Sequence, residues 1–159
     1  MAHIGFPVPA ASVKTSVFNG LFTTINLSDD LNLGYSHFLN EVKRVKEAAL
    51  QLQKGGMYFI VFDELFKGTN VKDAFDASLL IIKALAKIKS SVFIISTHLL
   101  EIADKIKTED NISFQFLKTT VKDNKPIFNY QLEQGVSKNR LGMTIVKNEG
   151  IIDILSQIQ

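Results

Sequence analysis

The run Met57-Tyr58-Phe59-Ile60-Val61-Phe62-Asp63-Glu64 is the most informative stretch of the sequence. Its apolar and aromatic residues follow the breaker pair Gly55-Gly56 and end at two acids. A run without polar alternation is typical of a central strand in a parallel sheet, covered on both faces. Open α/β sheets bind ligands at the carboxyl ends of their strands, so the acids lie where a site is expected. An ordinary strand end with two solvated acids explains the same residues.

A second strand and two helices are predicted around this run. Residues 91–96 are again apolar and β-branched, and residues 16–25 are compatible with a further strand. Apolar residues recur at helical spacing across residues 36–54 and 70–89, and Asn70 is placed to cap the second helix. The two stripes are Phe38, Val42, Val45, Ala49 and Leu52, and then Val71, Phe75, Ser78, Ile82 and Leu85. Helix–strand–helix–strand order predicts an α/β sheet with helices packed on its faces.

The pattern changes after a short helix predicted near residues 99–107. Residues 112–117 and 127–132 alternate between apolar and polar types, which predicts a hairpin with one wet face. Two helical segments, about 138–147 and 151–158, follow the hairpin. Because no repeat or linker interrupts the chain, we expect residues 1–159 to form a single structural unit.

The composition narrows the function classes without choosing one. The chain is 46% hydrophobic and 21% charged, and its 18 basic and 16 acidic residues nearly cancel at +2. This balance neither demands nor forbids nucleic acid as a partner. Cysteine is absent, which excludes disulfide scaffolds, thiol catalysis and cysteine-based zinc sites and is compatible with a cytoplasmic protein. No apolar run is long enough to cross a bilayer, so we expect no membrane contact from this segment. The first seven residues have no basic start and no apolar stretch, so we expect no secretory signal.

A histidine follows the second strand at the point where that strand ends, in Ser96-Thr97-His98. Neighbouring strand ends converge in a parallel sheet, so we expect His98 to approach Glu64. In nucleotide hydrolases the first acid of such a pair holds magnesium, usually through water, and the second polarises the attacking water. A surface histidine beside solvated acids is the simpler alternative.

The segment Asp29-Asp30-Leu31-Asn32-Leu33-Gly34-Tyr35-Ser36 leads into the first long helix. A glycine and a hydroxyl at a helix N-terminus offer free backbone N–H groups and the positive end of the helix dipole, which favour an anion. A turn followed by a serine N-cap produces the same pattern. This segment alone therefore does not identify a site.

Together, these segments resemble the ATPase domain of the MutS family of DNA mismatch repair proteins, members of the ABC class of P-loop ATPases. Gly34-x-Ser36-x-Phe38-x-x-Glu41 resembles the family's signature segment, and residues 63–69 resemble its Walker B motif and the following turn. Ser96-Thr97-His98 matches its switch histidine, and the order and spacing agree. The resemblance implies a P-loop NTPase-like three-layer sheet with flanking helices, incomplete at its N-terminus.

The resemblance also implies a role for each matching residue. Asp63 would hold Mg²⁺ through water, Glu64 would be the general base, and His98 would sense the γ-phosphate of ATP. A second set would face a nucleotide bound by another subunit or a second ATPase domain, because this class sandwiches ATP between two domains. This set is Asn32, Gly34 and Ser36 in the signature segment. Asn70 and Asp73 fall where the D-loop lies.

The chain departs from the family pattern at two places. Phe66 stands where the family has a small residue, normally glycine. In addition, no G-x-x-x-x-G-K-[ST] phosphate loop occurs, since Lys14-Thr15 has no glycine before it. We therefore expect a fragment cut just downstream of that loop, which alone neither binds ATP tightly nor hydrolyses it.

These observations predict part of a MutS-like mismatch repair ATPase that couples ATP binding and hydrolysis in a dimer to DNA engagement. DNA would be held by other domains of the parent protein. The basic residues of the first helix are most simply a solvated face; they are Lys43, Arg44, Lys46 and Lys54. Two alternatives stay open, a non-enzymatic dimerisation or docking module with relic ATPase motifs and the ATPase domain of another ABC branch.

Overall fold

A computed structural model describes residues 1–25, 37–122, 125–137 and 141–158 of the chain. The chain divides into two compact units, Met1–Ile102 and Ala103–Gln159. The prediction that residues 1–159 form a single structural unit stays a prediction. In the described ranges, no helix combines the length and the apolar content that crossing a membrane requires.

The first unit is built on a parallel sheet of three strands. These are β1 (Gly20–Thr24), β2 (Tyr58–Asp63) and β3 (Val92–Ser96), and β2 lies between the other two. The helices are α1 (His37–Gln53) and α2 (Val71–Leu85), and a short α3 (Glu101–Ile106) follows β3. The predicted α/β class and the central position of the 57–62 run are therefore confirmed.

The start of β2 is fixed by a close contact with the residue before β1. The Asn19 side-chain oxygen accepts a hydrogen bond from the Met57 N–H at 2.7 Å. Gly56 has φ of 106°, and a Cβ atom there would lie 2.6 Å from the same oxygen. Glycine alone suits this position without strain. The strand begins at Tyr58, one residue after the start of the predicted run.

One face of the sheet is buried and the other is largely exposed. Ile60 and Phe62 on β2 are almost completely buried. On the opposite face, Leu21 of β1 is in register with Val92 of β3 through β2, and both are exposed, as is Ile94. The prediction that the 91–96 run is covered on both faces is thus wrong. The reason is that the described elements leave this face of the sheet open to solvent at β1 and β3.

Helix α1 buries a stripe that only partly matches the one its apolar residues predict. Glu41 and Ala48 are its buried residues, whereas Val42 and Ala49 are exposed. The predicted residues that are half-buried are Phe38, Val45 and Leu52. Glu41 departs from the predicted pattern, and its carboxylate accepts a hydrogen bond from a backbone N–H group of the first unit.

Helix α2 begins as its sequence predicts. The Asn70 side chain caps it by accepting from the Asp73 N–H. The buried residues of the helix include Ser78 and Ile82 from the predicted stripe, whereas Val71 at its start is exposed.

The second unit holds the predicted hairpin. Strand β4 (Gln115–Lys122) pairs antiparallel with β5 (Lys125–Gln134), with an irregularity between Leu117 and Thr119. Helices α4 (Leu141–Asn148) and α5 (Ile151–Ser156) follow, and α4 contacts β5. The expectation of one covered face fails, because apolar side chains along both strands are exposed. They include Leu117, Val121, Ile127, Phe128, Tyr130 and Leu132.

Candidate functional site

The candidate site is built on the adjacent carboxyl ends of β2 and β3. Asp63 is in register with Ser96, and the Ser96 hydroxyl donates a hydrogen bond to Asp63 Oδ1 at 2.5 Å. The Glu64 N–H points at both the carbonyl oxygen of Ser96, at 3.2 Å, and its hydroxyl oxygen, at 3.3 Å. Ser96 therefore holds the backbone that carries both acids. The motif Ser96-Thr97-His98 drew attention to His98, and this contribution of Ser96 was not predicted.

Glu64 and His98 lie beside each other at this end of the sheet. The distance from Glu64 Oε1 to His98 Nδ1 is 3.3 Å, as the convergence of parallel strand ends suggests. The side chains are 40% and 66% exposed, so water reaches both groups. A solvated carboxylate next to an imidazole can accept a proton from a bound water molecule. The catalytic roles predicted for the two residues stay predictions.

The turn after Glu64 has an unusual backbone. Glu64 and Phe66 both adopt the left-handed conformation, with φ of 54° and 63°. Between them, Leu65 is buried, and its carbonyl oxygen accepts a hydrogen bond from the Ser78 hydroxyl of α2 at 3.2 Å. Non-glycine residues in this conformation persist only where their surroundings hold them, and such residues cluster at functional sites. The turn is thus tied to β3 at Glu64 and to α2 at Leu65.

Phe66 combines the left-handed backbone with a buried ring. Its side chain is 4% exposed and meets Phe38 of α1 edge to face, with ring centroids 5.9 Å apart. The family that the sequence resembles normally has glycine here, and glycine adopts this φ without steric cost. Burial of the aromatic ring offsets the backbone cost in this chain.

Gly68 connects the same turn to the start of α1. Its N–H donates to Glu41 Oε2 at 3.1 Å. A Cβ atom at Gly68 would lie 2.6 Å from His37 Nδ1 and 2.7 Å from the Phe38 nitrogen, so a larger residue does not fit without movement. Glu41 is quoted in the signature-like pattern, but no site role was predicted for it. The helical pattern did not predict that Glu41 is buried, because charged residues normally lie on the exposed face of a helix.

Asn70 and Asp73, the predicted D-loop residues, contact each other. The Asn70 Oδ1 accepts from the Asp73 N–H at 3.0 Å, and its Nδ2 donates to Asp73 Oδ2 at 2.6 Å. Helix capping explains this arrangement fully within one chain. Their predicted D-loop role stays a prediction.

The predicted signature residues Asn32, Gly34 and Ser36 lie outside the described residues, as does the acidic pair before them. The described part of the signature-like pattern is therefore its helical end, Phe38 and Glu41.

The carboxylate ligands at the strand ends suit a magnesium ion that is bound together with phosphates. In the part of the chain that the structure describes, no group of three or more His, Cys, Asp or Glu residues is arranged to hold a metal by itself. Mg²⁺ is commonly bound by one or two carboxylates, water and substrate phosphates. Asp63, oriented by the Ser96 hydroxyl, offers one such carboxylate.

Comparisons with known proteins agree on one family. A family model described as MutS domain V matches residues 1–157. The DNA mismatch repair protein MutS of Ehrlichia ruminantium (strain Gardel) is 28% identical over 150 residues, which are 94% of this chain and 18% of that protein. The protein of the same name from Streptococcus suis (strain 98HAH33) is 28% identical over 157 residues, 99% of this chain and again 18% of the relative. The chain thus spans less than a fifth of the length of these curated relatives.

Proposed function

Because the chain belongs to the MutS family, whose domain V model it matches over residues 1–157, we propose that it supplies the hydrolytic half of an ATPase site. The fold proposed for it is that of a P-loop, ABC-type ATPase, a three-layer sheet with flanking helices. The observation that carries the proposal is the 3.3 Å contact between Glu64 and His98 at the ends of two adjacent parallel strands. This is the edge of an α/β sheet at which ligands bind.

Glu64 is the proposed general base. Its carboxylate is accessible to water, and its backbone is held by the Ser96 hydrogen bonds and by the buried residue that follows. A carboxylate fixed in this way can accept a proton from the water that attacks the γ-phosphate. His98, beside Glu64, is placed to contact the same phosphate.

Asp63 is the residue proposed to hold Mg²⁺, through water. When bound, this ion neutralises charge on the phosphate oxygens. The Ser96 hydroxyl orients the Asp63 carboxylate through the 2.5 Å hydrogen bond, and this contact does not depend on the ion.

Binding the phosphates of ATP requires a phosphate-binding loop, which these 159 residues do not contain. No phosphate-loop motif occurs in the sequence. We place the loop in another segment of a longer protein, for which the much greater length of the relatives leaves room. Gly34 and Ser36 would then face the nucleotide of a second copy or a second ATPase domain. The chain alone should neither bind ATP tightly nor hydrolyse it.

DNA mismatch repair is the process proposed for the longer protein, because the relatives carry that name. Other domains of the longer protein would bind the DNA. In support, Arg44 on α1 pairs with Glu47 at 2.9 Å, and Lys54 donates to Gln51 at 3.2 Å. Basic residues that pair with neighbours in and just after their own helix are typical of a solvated face. Duplex DNA binding by the isolated chain with a steep salt dependence would contradict this assignment.

The test is ATP turnover by the longer protein, in which the phosphate loop and this chain are joined. Glu64→Ala should abolish turnover, and the same change at an exposed acid of the first unit, Glu101→Ala, should not. If Glu64→Ala leaves turnover intact, the docking-module alternative with relic motifs is favoured instead.

A further inference from the structure

Glu41 is a buried acid near the start of the amphipathic helix α1. It is 4% exposed, and its carboxylate accepts a hydrogen bond from the Gly68 N–H at 3.1 Å. His37 Nδ1 is 3.6 Å from the same oxygen, which is beyond hydrogen-bond distance, and this buried nitrogen has no hydrogen-bond partner in the described residues. The hydrogen bond of the acid is therefore to a backbone group, and the His37 ring lies beside it at ion-pair distance.

Burying a carboxylate in a helix interface costs desolvation free energy. Charged groups are almost never fully buried unless they are paired, and apolar residues of similar volume often stabilise a protein as well or better. What the Glu41 carboxylate provides is a strong, directional acceptor for one backbone N–H group. The N–H that it accepts from belongs to the turn that carries the proposed catalytic base.

We propose that Glu41 is a positioning residue, which fixes the Glu64 turn to the start of α1; this inference rests on the proposed function. The turn is bonded to β3 at Glu64, to α2 at Leu65 and to α1 at Gly68. Of these three contacts, only the one to α1 involves a buried charge. The edge-to-face contact between Phe66 and Phe38 runs beside it.

The position of Glu41 gives this bridge a second consequence. Helix α1 follows directly in sequence on Gly34 and Ser36, which are proposed to face the nucleotide of a partner domain. A displacement of the helix start would be passed to the Glu64 turn through the Gly68 hydrogen bond. The bridge therefore links the start of α1 to the turn that carries Glu64.

The experiment compares Glu41→Ala, Glu41→Gln and the control Glu47→Ala in the longer protein. Glu47 is an exposed acid of the same helix. Loss of a charge-assisted bond should lower kcat at least about 10-fold in Glu41→Ala with little change in KM. Glu41→Gln should retain most of the turnover, since its amide oxygen also accepts from the Gly68 N–H, and Glu47→Ala should match the wild type. Wild-type kcat in a folded Glu41→Ala variant would overturn the proposal.

A second readout separates this proposal from the function on which it rests. Hydrogen exchange of the Gly68 amide, measured by NMR in the 159-residue chain, should be at least about 10-fold faster in Glu41→Ala than in Glu47→Ala. Equal exchange would refute the bridge whatever the ATPase result is. Turnover that survives Glu64→Ala would refute the proposed function and leave this exchange test valid.

If Glu41→Ala does not fold, Gly68→Ala is the second variant. The added Cβ atom displaces the turn, so kcat should fall while KM is unchanged. An unchanged kcat would overturn the proposal.

Discussion

At Phe66, the backbone conformation and the side-chain packing favour different residues. The residue has φ of 63° and a side chain that is 4% exposed. The backbone therefore favours glycine, whereas the packing favours the aromatic ring. Replacing Phe66 by alanine removes the ring and keeps the unfavourable backbone. Replacing it by glycine removes both.

The two changes should differ in a defined direction. Truncation of a buried phenylalanine costs about 3–5 kcal/mol of the free energy of unfolding. A non-glycine residue in the left-handed conformation costs about 1–2 kcal/mol, and glycine escapes this cost. We therefore expect Phe66→Ala to lose about 3–5 kcal/mol and Phe66→Gly to lose about 1 kcal/mol less, although glycine has fewer atoms to pack.

Phe59 is the matched control. It lies in β2 and also has an edge-on aromatic partner, Phe18, with ring centroids 5.5 Å apart. In a strand interior, glycine is less stable than alanine by about 0.5–1 kcal/mol, so the order of the two variants should be reversed there. Urea denaturation of the 159-residue chain measures all four variants. If Phe66→Ala is as stable as Phe66→Gly, the left-handed backbone carries no cost, and the reasoning is wrong.

Three further outcomes follow from the site. Asn70→Ala should lower the free energy of unfolding by about 1 kcal/mol in urea denaturation, because it removes the cap of α2; no loss would contradict the capping role. Ser96→Ala should raise the Mg²⁺ concentration for half-maximal turnover of the longer protein by about 10-fold, since it removes the hydroxyl that orients Asp63. An unchanged Mg²⁺ requirement would contradict that role. The 159-residue chain alone should show no ATP turnover in a phosphate-release assay, because it has no phosphate loop.

Local patterns predicted the parts of the fold that depend on neighbouring residues in sequence. The apolar run before Asp63 predicted β2 because a short apolar run without polar alternation is typical of a central parallel strand. Asn70 predicted the start of α2 because an N-cap acts within one turn. The approach of His98 to Glu64 followed from the rule that parallel strands end at the same edge of a sheet.

Features that depend on long-range contacts were not predicted. Glu41 is buried because its carboxylate meets a backbone N–H from Gly68, 27 residues away. Helical periodicity has no access to such a contact and places an acid outside. Phe66 was recognised as a departure from the family pattern, but its left-handed backbone and its contact with Phe38 depend on the packing of α1 against the turn.

The central claim is that Glu64 is the general base of an ATPase. Its most direct test is single-turnover hydrolysis of ATP by the longer protein with Glu64→Gln, together with the Kd of ATP and the control Glu101→Gln. Glu64→Gln should leave ATP binding unchanged and slow hydrolysis by at least about 100-fold, because an amide cannot accept the proton of the attacking water. Hydrolysis at the wild-type rate in Glu64→Gln would contradict the account.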